Sequence, residues 1–157
     1  MAKLRKSWRQ KLADDKGLPR VVVIDEKAPK QWGTGTIAIP APSEVRDIMA
    51  MVPRGKLLTT TQIREVIARR HGATMGCPMT TGLLCQMVAG AAEEDAAEGR
   101  RDITPYWRTL RAGGELNPKY PSGVEVQAAY LEAEGHTIDR RRKTPRVADY
   151  EKALVEP

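Results

Sequence analysis

Residues 59–92 hold the feature that most constrains the fold, which is a pair of helix-forming segments joined by a short connection. Thr59 and Gln62 have the spacing of a capping box, and the apolar residues that follow recur at helical spacing until Gly72. A second segment begins at Pro78, a residue that suits the first position of a helix. Two helices joined by a glycine-containing connection are typical of a helix-turn-helix.

A further helix is predicted on each side of this pair. Ser43 is a suitable N-cap for a helix that ends before Pro53, and a last helix is closed by Gly135. The helix that starts at Pro78 is predicted to end at Ala92, because an acidic, alanine-rich stretch follows it.

Two short β-hairpins complete the predicted elements. The first lies in residues 103–116, where a pair of glycines marks a turn, and the second joins residues 136–138 to residues 146–148. The sequence therefore predicts a mainly α-helical domain with small β-hairpins, of the helix-turn-helix or winged-helix-like class.

Residues 1–39 differ in composition from the rest of the chain and are predicted to form a basic extension. Val21 to Ile24 are β-prone and predict an edge strand. The basic run from Lys3 to Lys11 suits contacts with phosphates, or else the solvated face of a short helix whose inward-facing residues are Leu4, Trp8 and Leu12. We expect three regions: the extension 1–39, a domain 40–138, and a basic turn and tail 139–157 packed on that domain.

The charge balance favours a polyanionic partner. The 157 residues contain 26 Lys and Arg against 20 Asp and Glu, which gives a formal net charge of +6. Modest basicity is common among soluble proteins, so the charge does not identify the partner by itself. The two cysteines, Cys77 and Cys85, have no neighbouring residues at metal-ligand spacing, so neither a metal nor another cofactor is expected.

The sequence also carries expectations about location. No stretch has the roughly 18 to 20 apolar residues of a membrane span, and the N-terminal residues lack the apolar run of a secretory signal. We therefore expect no membrane association, a cytoplasmic location and reduced thiols.

Two segments carry a resemblance to a known family. VPRGKLLTTTQIREVIARRHGA resembles the start of the DNA-binding domain of the alkylguanine-DNA alkyltransferases (methylated-DNA-protein-cysteine methyltransferases). ITPYWRTLRAGGELNPKYPSGVEVQAAYLEAEGHTI resembles their Pro-Cys-His-Arg loop and the segments that follow it, and its end is especially similar to the alkyltransferase-like branch. The resemblance covers about residues 40–138 and implies the fold and the DNA-binding role of that family.

The loop between Pro105 and Arg108 departs from the family pattern. The resemblance places Tyr106 at the position of the acceptor cysteine and Trp107 at that of the helper histidine. A tyrosine hydroxyl, with an ordinary pKa of about 10, is a weak nucleophile at neutral pH, and indole has no basic nitrogen. We therefore expect no catalytic residue in this loop. Pro105, Tyr106 and Trp107 are predicted to line a base pocket, with Tyr106 facing it, or to plug the pocket as packed side chains.

The resemblance also implies DNA-contacting residues at two helix starts. The family's nucleotide-rotating tyrosine corresponds to Thr60, and its space-filling arginine corresponds to Met79, which suits either an apolar wedge between base steps or the core. Hydroxyls beside the exposed amides of a helix start suit phosphates, and glycine permits close approach. The predicted DNA-binding residues are Thr59, Thr60, Arg64, Met79, Thr80, Thr81, Gly82 and Arg108.

Three hypotheses about function follow. The first is a non-catalytic, monomeric alkyltransferase-like protein that binds duplex DNA with weak sequence specificity and senses damaged or unpaired bases, with room for a protein partner in DNA repair. The second is a divergent methyltransferase that uses Cys77 as a relocated acceptor, because a helix N-terminus lowers the pKa of a thiol. The third is a protein-interaction module that has kept the fold without binding nucleic acid.

Overall fold

The computed structural model describes residues 5–157, so Lys3 and Leu4 of the predicted basic run lie outside the described part. Within that part the chain forms five α-helices and seven short strands. The helices are α1 (Trp8–Leu12), α2 (Pro42–Ala50), α3 (Thr60–His71), α4 (Pro78–Ala97) and α5 (Val124–Ala133). The strands are β1 (Arg20–Val23), β2 (Thr36–Ile39), β3 (Leu58–Thr59), β4 (Met75–Gly76), β5 (Thr109–Leu110), β6 (Ile138–Asp139) and β7 (Arg146–Val147). The predicted class, a mainly helical domain with small β elements, is confirmed.

The central pair of helices forms where the sequence predicts it. Thr59 caps α3 through a capping box with Gln62: the Gln62 N–H donates to Thr59 Oγ1 at 3.2 Å, and the Thr59 N–H donates to Gln62 Oε1 at 2.9 Å. The helix ends at Gly72, whose φ of 61° lies in the left-handed region that favours glycine. Pro78 occupies the first turn of α4, after Cys77 as the N-cap.

Helix α4 is the central element of the core. Its inner face is buried along the helix, and it packs against α1, α2 and α3. The contact with α1 depends on Gly90, because a Cβ there would lie 2.3 Å from Cγ of the Trp8 ring. The short helix α1, one of the two alternatives for the basic run, therefore packs its Trp8 and Leu12 onto the domain.

The end of α4 and the start of α2 differ from the predictions. Helix α4 continues past Ala92 to Ala97, because Glu94 accepts hydrogen bonds from the backbone N–H groups of Trp8 and Arg9 at 3.0 and 2.8 Å. Ser43 does not cap α2, which begins at Pro42. Its N–H and its hydroxyl instead donate to the carboxylate of Asp15 at 3.2 and 3.0 Å.

The strands form three small sheets. The first has the order β1-β2-β4, with β1 antiparallel to β2 and β2 parallel to β4, so the predicted edge strand at Val21 is confirmed. Strands β6 and β7 form the predicted terminal hairpin. The hairpin predicted in residues 103–116 is wrong, because β5 pairs in parallel with β3, which precedes it by some 50 residues.

The C-terminal tail lies against the start of α3. The Leu57 N–H donates to Ala153 O, and the Val155 N–H donates to Leu57 O, both at 2.9 Å. Gln62 Nε2 also donates to Val155 O at 2.8 Å. Among the helices of residues 5–157, none has the length and apolar character needed to cross a membrane.

Candidate nucleic-acid interface

A surface groove of about 580 Å³ lies between the first turns of α3 and α4 and the segment 111–119. We call it the α3–α4 groove. Both helices present their N-terminal ends to it, so exposed backbone amides and the positive ends of two helix dipoles face the same space. Its walls are formed by Thr60, Arg64, Pro78, Met79, Thr80, Gly82, Leu83, Gln86, Arg111, Asn117 and Lys119.

Three cationic side chains line the α3–α4 groove. They are Arg64, Arg111 and Lys119, and none of them forms an ion pair with any residue in the described range 5–157. The Nε atom of Arg64 is buried without a hydrogen-bond partner there. No acidic residue of the described range 5–157 lines the groove, which therefore carries a local excess of positive charge that suits an anionic ligand.

Two apolar side chains on α4 are exposed in the same groove. Met79 is 74% exposed and Leu83 is 53% exposed, and one helical turn separates them. Between the two alternatives for Met79, wedge or core, its exposure excludes the core. Exposed apolar side chains among cations suit a ligand that has both charged and apolar surface, as DNA does.

Five of the predicted DNA-binding residues meet in the α3–α4 groove: Thr60, Arg64, Met79, Thr80 and Gly82.

The other three predicted DNA-binding residues do not line the groove. Thr59 is buried and its hydroxyl caps α3, so it supports the helix start without facing the groove. Thr81 is fully buried, with an Oγ1 that has no partner in residues 5–157, and its predicted phosphate contact is corrected on that ground. Arg108 is engaged in an internal ion pair and is likewise corrected.

The sequence reasoning missed Leu83, Gln86, Arg111, Asn117 and Lys119 as groove residues. Leu83 recurs at helical spacing with other apolar residues of α4, and only the packing places it outside the core. Arg111 lies within the segment that is predicted to be a hairpin and Lys119 lies just after it, and the pairing of β5 with β3 brings that segment beside α3. Their signal in the sequence is positive charge within the segment that carries the family resemblance.

Tyr106 does not face an open pocket. Its side chain is fully buried, and its hydroxyl lies 2.5 Å from Glu93 Oε1, to which it donates, and 2.6 Å from Ser122 Oγ. Its ring makes edge-to-face contacts with Trp107, Tyr120 and Tyr130 at centroid distances of 5.5, 5.2 and 6.1 Å. Burial, reinforced by the hydrogen bond to Glu93, raises the pKa of Tyr106 far above its ordinary value. The plug alternative describes this residue, and the prediction that it faces the pocket is corrected.

Trp107 is also buried, at 8% exposure, and stacks on Tyr130 with the ring centroids 4.1 Å apart. Its Nε1 donates to Glu134 Oε2 at 2.8 Å. Arg108 donates to the same carboxylate through Nε and Nη2, at 2.9 to 3.0 Å, and the Gly55 N–H donates to Oε1 at 3.0 Å. Burial alone raises the pKa of Glu134, but these hydrogen bonds outweigh it and the pKa is lowered.

Neither cysteine is placed as a nucleophile. Cys77 is 7% exposed, and its Sγ accepts a hydrogen bond from the Thr80 N–H at 3.5 Å. Cys85 is fully buried, and burial raises the pKa of its thiol from 9.0 to about 12. Within residues 5–157, no cluster of three His, Cys, Asp or Glu side chains is arranged to hold a metal ion.

Fold and groove together define a small, mainly helical domain with an open cationic groove and a filled interior around Tyr106, the residue that the sequence resemblance places at the acceptor-cysteine position. Two solved structures are similar to this chain. One is S. pombe Atl1 in complex with damaged DNA containing O6-carboxymethylguanine, at 19% identity and a TM-score of 0.50. The other is S. pombe ATL in complex with DNA, at 20% identity and a TM-score of 0.52.

Each similarity covers 74% of this chain and 94% of the other. No family model matches the chain, and no curated protein sequence matches it. The structural similarities show that this chain has the fold of the alkyltransferase-like proteins, as the sequence resemblance implied.

Proposed function

We propose that this chain is a non-catalytic DNA-binding protein that holds duplex DNA along the α3–α4 groove. One observation carries the proposal. Two helix N-termini and three cationic side chains that form no ion pair within residues 5–157 lie together in one open groove. The two S. pombe structures with this fold were solved with DNA, and one of those DNAs is damaged, which supports the proposal.

The groove suits the DNA backbone more than the edges of the bases. Arg64, Arg111 and Lys119 supply charge, while Thr60 and Thr80 supply hydroxyls in the first turns of α3 and α4. Contacts of this kind hold phosphates and carry little sequence information. We therefore expect weak sequence specificity.

Met79 and Leu83 are the reason to expect that the protein prefers DNA with damaged or unpaired bases. Apolar side chains that enter a duplex must unstack a base step, which costs a few kcal/mol. The cost is smaller where a base is mismatched, damaged or unpaired. An exposed apolar pair between phosphate-binding cations therefore favours DNA whose stacking is already weakened.

The absence of catalysis in this proposal rests on the residues at the two candidate acceptor positions. Tyr106 is buried with a raised pKa, so its phenolate is inaccessible at neutral pH. Cys77 is buried and does not line the groove. Binding without alkyl transfer is the function that these residues support.

The salt dependence of binding to a labelled duplex tests the proposal. If the three groove cations each neutralise one phosphate, the slope of log K against log salt is about −2.7. Arg111→Ala should make that slope shallower by about 0.9. Lys27→Ala, an exposed cation in the turn after β1, is the matched control and should leave the slope unchanged. Absence of binding at low salt would contradict the proposal and favour the protein-interaction hypothesis.

A further inference from the structure

The hairpin of β6 and β7 lies against the segment 111–119, which forms one wall of the α3–α4 groove. The Leu116 N–H donates to Pro145 O at 2.9 Å, and Glu115 forms an antiparallel bridge with Arg146. These contacts join the end of the hairpin loop directly to the groove wall. The hairpin therefore adjoins the groove, although most of it lies beyond the segment that carries the family resemblance.

The direction of this pairing determines which part of the hairpin is nearest the groove. The two segments run antiparallel, so the residues that precede Pro145 lie alongside those that follow Leu116. The residues that follow Leu116 include Asn117 and Lys119, which both line the groove. We call residues 140–145 the tip loop, and its last residues lie beside this part of the groove wall.

The tip loop carries four consecutive basic residues, and two of them are not neutralised. Arg140 pairs with two glutamates of α5, and Arg141 pairs with Asp139 at 2.8 Å. Arg142 and Lys143 are exposed, and neither forms an ion pair with any residue that the structure describes. The tip loop thus adds positive charge next to the three cations of the groove.

The shape of the tip loop does not account for these two cations. Asp139 holds the turn, because its carboxylate accepts from the Arg141 N–H at 3.0 Å and from Arg141 Nη2 at 2.8 Å. Arg142 and Lys143 make no hydrogen bond within residues 5–157. Turns favour glycine, proline, asparagine, aspartate and serine, so turn geometry gives no reason for two exposed cations here.

We propose that Arg142 and Lys143 contact the phosphate backbone of DNA beside the part that the α3–α4 groove holds. This inference rests on the proposed function, because it extends the same bound duplex past the groove wall. A duplex carries one negative charge per about 1.7 Å of its axis, so phosphates continue beyond any groove that holds part of it. Because Asp139 already holds the turn, the loop is preorganised for this contact.

The salt dependence of binding to a labelled duplex measures the added contacts. The three groove cations alone give a slope of log K against log salt of about −2.7, and two further phosphate contacts make it about −4.5. Arg142→Ala/Lys143→Ala should return the slope to about −2.7. This variant should bind more weakly than the wild type at low salt, and the difference should shrink as the salt concentration rises. Circular dichroism verifies that the variant is folded.

Lys27→Ala/Lys30→Ala is the matched control. It also removes two exposed cations that form no ion pair within residues 5–157. Both double variants lower the net charge equally, so a difference between them reports a local contact and not the total charge. The control should leave the slope unchanged, and equal flattening by the two variants would overturn the proposal.

Crosslinking tests the position of the tip loop on DNA independently of charge. Lys143→Cys modified with azidophenacyl bromide should crosslink to the duplex on illumination, whereas Lys27→Cys with the same group should not. The native thiols of Cys77 and Cys85 are buried, so the introduced thiol is modified selectively. Equal crosslinking from the two positions would contradict a contact at the tip loop.

Failure of this proposal is distinguishable from failure of the proposed function. A wild-type slope that Arg111→Ala makes shallower and Arg142→Ala/Lys143→Ala leaves unchanged would overturn the tip-loop contact and support the groove. A wild type that does not bind DNA at low salt would overturn both.

Discussion

Arg108 and Glu134 form a nearly buried ion pair, with Nη2 of the arginine 2.9 Å from Oε2 of the glutamate and side-chain exposures of 14% and 4%. The pair joins three parts of the domain. Arg108 Nη1 also donates to Val52 O at 2.6 Å, at the end of α2, while Glu134 follows α5 and accepts from the Gly55 N–H in the turn before α3. It fixes the turn that leads into the α3–α4 groove.

Removing the charge of Glu134 should therefore destabilise the domain. Glu134→Gln leaves Arg108 without its counter-charge, and we expect a loss on the order of 3 kcal/mol in the free energy of unfolding. Urea denaturation measures it. Glu132→Gln, which removes an exposed pair with Arg140, is the matched control and should cost less than about 1 kcal/mol. Equal losses for the two variants would contradict the importance of burial.

The same pair predicts a pH dependence. The pKa of Glu134 is lowered in the folded state, so the unfolded chain binds more protons at acidic pH. The stabilisation is complete above the ordinary glutamate pKa of 4.5 and is lost as the pH falls below it. Denaturation midpoints measured from pH 7 to pH 3 should fall more steeply for the wild type than for Glu134→Gln.

Tyr106 should behave as a core residue. Tyr106→Phe leaves Glu93 and Ser122 without their hydrogen-bond partner and should cost about 1 to 3 kcal/mol. Tyr106→Ala also removes the ring and should cost about 3 to 5 kcal/mol. Tyr150→Phe is the control, because the hydroxyl of Tyr150 makes no hydrogen bond within residues 5–157. A stable Tyr106→Ala variant with altered preference among DNAs would indicate an open base pocket instead.

The chain should not accept a methyl group from O6-methylguanine in duplex DNA. Tyr106 is protonated and buried, Cys85 has a pKa of about 12, and Cys77 is buried outside the groove. Intact-mass measurement after incubation with methylated duplex should show an unchanged mass. A gain of one methyl group mapped to Cys77 would support the relocated-acceptor hypothesis.

The sequence predicts those parts of the fold that depend on neighbouring residues. The capping box of Thr59 and Gln62, the glycine that ends α3 and the proline that starts α4 act within one helical turn, so their effect is visible in the sequence. The same local signals place Thr60, Met79 and Thr80 at helix starts, and the structure brings these residues together in the groove.

Features that depend on distant partners were not predictable in this way. The extension of α4 needs hydrogen bonds from α1, and the pairing of β5 with β3 joins residues about 50 positions apart. Tyr106 is buried because Glu93 and Ser122 satisfy its hydroxyl, and nothing in the sequence around Tyr106 indicates those partners. The resemblance supplied its position in the family motif but not its surroundings.

The exposed pair Met79 and Leu83 should determine the preference for weakened base pairs without affecting stability. Both side chains are largely exposed, so Met79→Ala and Leu83→Ala should each change the free energy of unfolding by less than about 0.5 kcal/mol. If they insert at a base step, each variant should lose about 1 kcal/mol or more of the preference for a mismatched over a matched duplex, about fivefold in affinity.

Competition binding with matched and mismatched duplexes at fixed salt measures this preference. Val126→Ala truncates another exposed apolar side chain, on α5 and outside the α3–α4 groove, and should change neither stability nor preference. Retention of the mismatch preference in the Met79→Ala/Leu83→Ala double variant would show that the apolar pair does not enter the duplex. Equal weakening on both duplexes would instead assign the pair to general contact with the DNA, because a residue that reads weakened stacking must affect the two duplexes differently.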